Sequence, residues 1–158
     1  TNVEVDAPAL LAAVREDGAD AAILVPNCPV CHQSVSLAAR HLEANGIATV
    51  IMGCAKDIVE HCGVPRFVFS DFPLGNAAGR PCDRTSQRLT MALALDLLET
   101  ATGPRTTLTS PLEWSPDHAW KLDYSNPARV PPDELARKRE EFDRVKQEAR
   151  RSAASTGK

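Results

Sequence analysis

Ala21-Ala22-Ile23-Leu24-Val25, followed by Pro26-Asn27-Cys28-Pro29-Val30-Cys31, sets how this chain folds. The first five residues are a continuous apolar run with abrupt ends. A run that short reads as a strand buried on both faces, as in a parallel sheet. The second stretch reads as a helix start. Asn27 is a candidate cap, and Pro29 suits the first helical turn, where its missing N–H costs nothing. The helix is predicted over residues 29–44, with Asn45-Gly46 ending it.

The same grammar repeats in both directions. Upstream, residues 8–15 carry Leu10, Leu11 and Val14 on one helical face, stopped by Asp17-Gly18. Downstream, residues 47–52 (IATVIM) read as a second buried strand, 55–61 as a short helix closed by Gly63, and 66–69 as a third strand. A loop spans residues 73–81, and Asp83 or Thr85 then caps a long Leu- and Ala-rich helix reaching about residue 101. Strand and helix alternate with crossover lengths suited to right-handed βαβ units. The expected fold is α/β: a small three-layer, doubly wound (Rossmann/flavodoxin-like) parallel sheet of three or four strands, with a C-terminal extended arm and helix. The first strand is expected in the middle of that sheet. The site is then expected at the carboxyl edge of the strands, at the switch point in strand order.

After Gly103-Pro104 the character changes, so residues 1–103 are expected to form the α/β domain carrying the cysteine pair. Residues 104–132 read as a proline-rich extended arm pinned by Trp114, Trp120 and Tyr124. Residues 133–158 read as a charged helix and tail, capped by Asp133, helical to about residue 151 and frayed beyond it. Glu134 and Lys138, and Glu140 and Arg144, stand four apart in the favourable order. A thin apolar stripe of Leu135, Phe142, Val145 and Ala149 suits packing on another subunit. Through arm and helix, a homo- or hetero-oligomer is expected.

Composition narrows the class. The chain has 158 residues, a net charge of -3 and 4% aromatics. No clustered basic face or stacking platform for nucleic acid is expected from that. No apolar run approaches a membrane span, and residues 1–6 are polar and acidic rather than a signal peptide, so a cytoplasmic address is expected. In a reducing compartment five cysteines read as reactive or metal-binding rather than as a disulfide framework.

Cys28-Pro29-Val30-Cys31 is then the chemical centre. A cysteine at a helix N-terminus meets free N–H groups and the positive end of the helix dipole, which favour thiolate over thiol. Cys31, one turn on, can resolve a mixed disulfide. Cys54 follows the second strand, and Asp71 follows the third, so both are expected at the same sheet edge. With Asn27 and the loop residues Pro73, Leu74, Gly75 and Asn76 they are the candidate substrate-binding residues. His32 is a candidate for proton transfer. His61 and Cys62, at the far end of the second crossover helix, are read as structural and distant from the site.

The pattern Cys28-x-x-Cys31-His32 also matches c-type haem attachment, but its position after a buried strand and the absence of an export signal argue against that. No cofactor is expected. The rival reading is a metal site, zinc or an iron–sulfur cluster, on Cys28, Cys31, Cys54 and Cys82. A third is a non-catalytic assembly subunit whose working parts are the arm and last helix.

The segment from Ala22 through Cys28-x-x-Cys31 to Gly46-Ile47, with Phe72-Pro73-Leu74-Gly75-Asn76 after the third strand, resembles the glycine/sarcosine/betaine reductase B subunits and the D-proline reductase family. The resemblance covers roughly residues 20–100. It implies that Cys28 stands where that family often has selenocysteine and attacks the substrate, that Cys31 resolves, and that the loop from Pro73 to Asn76 lines the substrate site. It implies reductive cleavage of a bond between an α-carbon and a heteroatom. It further implies a partner subunit carrying a pyruvoyl group; the cysteine pair itself leads to the expectation of a thiol or thioredoxin-like electron donor. Two departures stand out: Cys28 is sulfur, and Gln33-Ser34 replaces the family's further cysteines.

Overall fold

The computed structural model describes residues 2–123 and 127–156. The described residues fall into two compact units, divided between Pro116 and Asp117. In the first, α1 (Ala7–Glu16) leads into β1 (Ala21–Leu24), α2 (Pro29–Ala44), β2 (Ala48–Gly53), α3 (Lys56–Cys62), β3 (Arg66–Phe69), α4 (Arg84–Thr100) and β4 (Thr106–Thr109). The four strands form one sheet in the order β1-β2-β3-β4, and every pair is parallel.

Side chains alternate across a strand, so each strand feeds two cores. On one face Ile51 of β2 and Phe67 of β3 pack with Ala39 of α2 and Val59 of α3. Beside them Leu11 of α1 meets Leu42 and Ile47. On the other face Val50, Met52 and Val68 pack with Ala94 and Leu97 of α4. The result is three layers around a parallel sheet, as the alternation of strand and helix predicts.

The strand order differs from expectation. β1 lies at an edge instead of the centre, and its residues are at most half-buried rather than covered on both faces. With strands in sequence order there is no reversal, hence no switch-point crevice. The hand of the crossovers is also unusual. The strands advance in one direction throughout, yet α2 and α3 lie on one face and α4 on the other. The crossover through α4 therefore has the opposite hand to the two before it, an uncommon arrangement given the strong right-handed rule. It is what puts a helix on each face without returning the chain past β1.

The sheet also outruns the boundary expected at residue 103. Residues 106–109, read as part of the arm, form β4 on β3. The arm is pinned where Trp114 meets Phe72 edge-on, with ring centroids 5.4 Å apart. Tyr124 lies outside the described residues.

In the second unit, α5 (Trp120–Asp123) precedes α6 (Pro132–Thr156). Lys138 pairs with Glu134 at 2.9 Å, one turn apart, and this pairing holds the Glu134 carboxyl below its ordinary range. Phe142 and Val145 of the thin stripe are exposed. The helix runs to Thr156, past the end expected near residue 151.

At the amino edge of the sheet one carboxylate oxygen ties three elements. Oε1 of Glu43 accepts from the Thr49 N–H at 2.5 Å, the Thr49 hydroxyl at 3.0 Å and the Arg66 guanidinium at 2.7 Å. Glu43→Ala strands a buried N–H and a half-buried cation, and is expected to cost about 2–4 kcal/mol. Urea unfolding checks this: the midpoint falls while the slope holds.

Candidate active site at the carboxyl edge

The turn after β1 delivers Cys28 to the start of α2. Cys28 itself is the N-cap, in extended conformation, and its sulfur accepts the Cys31 N–H at 3.2 Å. Asn27, expected as the cap, is exposed one residue too early to serve. Cys28 and Cys31 are disulfide-paired, with Cα atoms 5.0 Å apart. Cys28 is exposed and Cys31 half-buried, so Cys28 is the more accessible of the two. The capping N–H contributes the anion-stabilising contact expected of a reactive cysteine.

His32 is fully buried behind this turn. Its Nδ1 stands 2.7 Å from the Cys28 carbonyl oxygen, which only accepts, so Nδ1 carries the proton. Nε2 accepts the N–H groups of Cys54 and Ala55 at 3.0 and 3.2 Å. Both ring nitrogens are thus committed. In this arrangement the imidazole has no free position from which to shuttle a proton, the role expected of it. It joins the turn after β1 to the turn after β2.

Cys54 continues the chain of contacts. Its thiol faces the Phe72 and Asn76 amides at the head of the loop after β3. Burial pushes this thiol up to about 11; the two amides pull it down in part, and the Asp71 carboxylate adds to the rise. Cys54 is therefore a neutral thiol at neutral pH. The stability that comes with the raised value is complete below the unfolded-state value near 9 and is lost as pH rises through about 11. Cys54→Ala is expected to flatten that alkaline limb, checked by denaturation midpoints between pH 8 and pH 11.

The loop is braced rather than loose. The Asn76 side-chain amide donates to the Pro73 carbonyl at 3.2 Å, so part of its hydrogen-bonding capacity closes the loop instead of facing solvent. Arg80 donates to the Glu113 carbonyl at 2.7 Å and pairs with Asp83 at 3.2 Å. Asp83 caps α4 by accepting from Thr85 and Ser86, and these contacts, that to the Ser86 N–H foremost, lower its carboxyl. Sequence reasoning gives Arg80 no role; the Arg80-x-x-Asp83 spacing at a helix start is the available signal.

The structure therefore links Cys28, Cys31, His32, Cys54, Phe72 and Asn76 in one contact series. Asp71 acts on the same thiol through its charge, and Pro73 closes the loop against Asn76. Leu74 is half-buried and Gly75 exposed on the same loop. The four cysteines of the rival metal reading are not gathered. Cys28 and Cys31 bond each other, Cys82 is exposed, and no group of three metal-ligating side chains occurs among the described residues.

His61 and Cys62 prove less remote than expected. With Asp57 and Ile58 of α3 they line an open groove of about 570 Å³ whose other wall is Gln33, Val30 and Pro29, the last two lying between the paired cysteines. Val30 is 69% exposed. Among the described residues no helix is long and apolar enough to cross a membrane.

No protein-family model and no solved structure matches the chain. The D-proline reductase subunit gamma of Acetoanaerobium sticklandii is 32% identical over 81 residues, 51% of this chain and 34% of that protein. The chain thus spans about a third of the length of the curated relative it matches. The likeness supports a distant relationship to the proline and glycine reductases.

Proposed function

We propose that this chain is a thiol-dependent oxidoreductase subunit that reduces a small substrate with the Cys28–Cys31 pair. The observation that carries the reading is the pair itself: two cysteines at bonding distance, capping a helix at the carboxyl edge of a parallel sheet. The similarity to a D-proline reductase subunit points to a small amino acid as substrate class and to a hetero-oligomer as the working form. A cytoplasmic setting fits a pair that must be reduced again after each cycle.

The chemistry uses two electrons. The Cys28 thiolate attacks the α-carbon, forming a carbon–sulfur bond as the bond to the heteroatom breaks; the heteroatom leaves with the electron pair and takes a proton. The Cys31 thiolate then attacks the Cys28 sulfur. The carbon–sulfur bond breaks toward carbon, which takes a proton. The substrate is reduced and the pair is left as the disulfide. A dithiol or thioredoxin-like donor restores it. Asp71, Asn76 and the Pro73–Leu74–Gly75 backbone border the substrate. Asn27, exposed beside Cys28, orients it.

The test is stoichiometry in the protein purified with its natural partners. With D-proline and dithiothreitol, one dithiol should be oxidised per substrate opened. Dithiol oxidation independent of every small amino acid tried would sink the reading.

A further inference from the structure

We propose that His32 is a positioning residue for the cysteine pair: its buried imidazole holds the Cys28 backbone in the capping geometry that favours the Cys28 thiolate. This role rests on the proposed dithiol chemistry.

The ring stands between two turns that share no covalent connection shorter than α2 and β2. On one side Nδ1–H donates to the Cys28 carbonyl at 2.7 Å; on the other Nε2 accepts from Cys54 and Ala55. The same Cys28 carbonyl accepts the His32 N–H at 3.0 Å, so this oxygen is held by backbone and side chain of one residue. Fixing that carbonyl fixes the peptide plane from which the Cys28 side chain departs, and so keeps its sulfur over the Cys31 N–H. An N–H donor to an anionic sulfur is worth more than one to a neutral disulfide sulfur. Losing the geometry therefore costs the reduced form more than the oxidised form.

The sheet is shaped to admit this ring. A Cβ on Gly53 would lie 3.0 Å from His32 Cδ2, 3.1 Å from Nε2 and 3.1 Å from the Phe67 ring. Gly53 sits at the end of β2 on the face toward α2, where the absence of a side chain lets the imidazole reach the amides just beyond.

The test is the exchange equilibrium of the pair with glutathione, read by trapping thiols and mapping peptides. For His32→Leu the constant should move about tenfold toward the disulfide, or about 30 mV for this two-electron couple. His32→Met fills much of the same space with no donor for the Cys28 carbonyl, and should move the constant the same way. A ring that merely fills space would lower stability and leave the constant alone. A folded His32 variant at the parent value, or one shifted toward the dithiol, overturns the proposal. Should neither variant fold, Gly53→Ala decides, since it keeps the imidazole but displaces it; a parent-like constant there overturns the proposal. Failure of the underlying dithiol chemistry looks different: Cys28→Ser would then retain turnover, whatever the constant does.

Discussion

Cys28→Ser is expected to abolish substrate-dependent oxidation of the dithiol donor, a fall of roughly a thousandfold or more. Serine matches cysteine in size and keeps an acceptor for the Cys31 N–H, so the helix start survives. What disappears is an anion able to form and then release a bond to carbon. Cys31→Ser separates the two halves of the reaction. Cys28 can still attack, but nothing displaces the adduct, and a stoichiometric covalent intermediate should collect on the peptide containing Cys28. Intact-mass measurement after substrate addition reads it directly. The asymmetry between the two variants is the signature of a nucleophile followed by a resolving thiol. Equal and complete loss in both, with no adduct, would point to a structural role for the pair.

The heaviest loss of stability is expected at Gly79. Its φ is +111°, in a region that side chains avoid, and a Cβ there would lie 2.7 Å from the Gln87 backbone nitrogen and 2.8 Å from the Gln87 Cα. These are backbone atoms of the first turn of α4, which cannot rotate away. Gly79→Ala therefore combines torsional strain with overpacking and should cost about 3 kcal/mol or more. The damage is expected in the loop that borders Cys54. The Gly79 N–H donates to the Asn76 carbonyl at 3.2 Å, and the Arg80 N–H donates to the Ser86 hydroxyl at 2.9 Å. Chemical denaturation gives the loss. Unchanged stability would mean that the loop takes another path.

Local chemistry was legible in the sequence where it alone decides. Helix α2 spans Pro29–Ala44 as read, because Pro29 and Asn45-Gly46 act within a turn of themselves. Strand β3, Arg66–Phe69, also falls where its apolar run placed it. Sheet order was not legible. Nothing in the Ala21–Leu24 run says which neighbours it will have, and its half-burial comes from the edge position. Strand β4 escaped because Thr-Thr-Leu-Thr has no apolar run; pairing with β3 makes it a strand.

The candidate site divides the same way. Cys28 and Cys31 were visible from spacing and context. That Cys28 rather than Asn27 caps the helix puts Pro29 at the first helical position, the place proline favours. The contact of His32 with Cys54 spans 22 positions of sequence and needs the fold to bring it about. Its burial converts a residue read as a proton carrier into one that holds two turns together. The mirror case is Cys62, which sequence position placed far from the pair and the packing of α3 on α2 brings to a groove beginning at Pro29 and Val30.

Everything proposed for this chain requires Cys28 and Cys31 to cycle between dithiol and disulfide during turnover. Differential labelling of the native protein shows whether they do. The reduced protein is given substrate, open thiols are blocked with one reagent, disulfides are reduced, and the released thiols are marked with a second. The expected result is the second mark on Cys28 and Cys31 together, in proportion to substrate consumed, with Cys54, Cys62 and Cys82 carrying only the first. The contradicting result is a pair that never takes the second mark, or one shielded from both reagents until a chelator is added, which would make it a metal site.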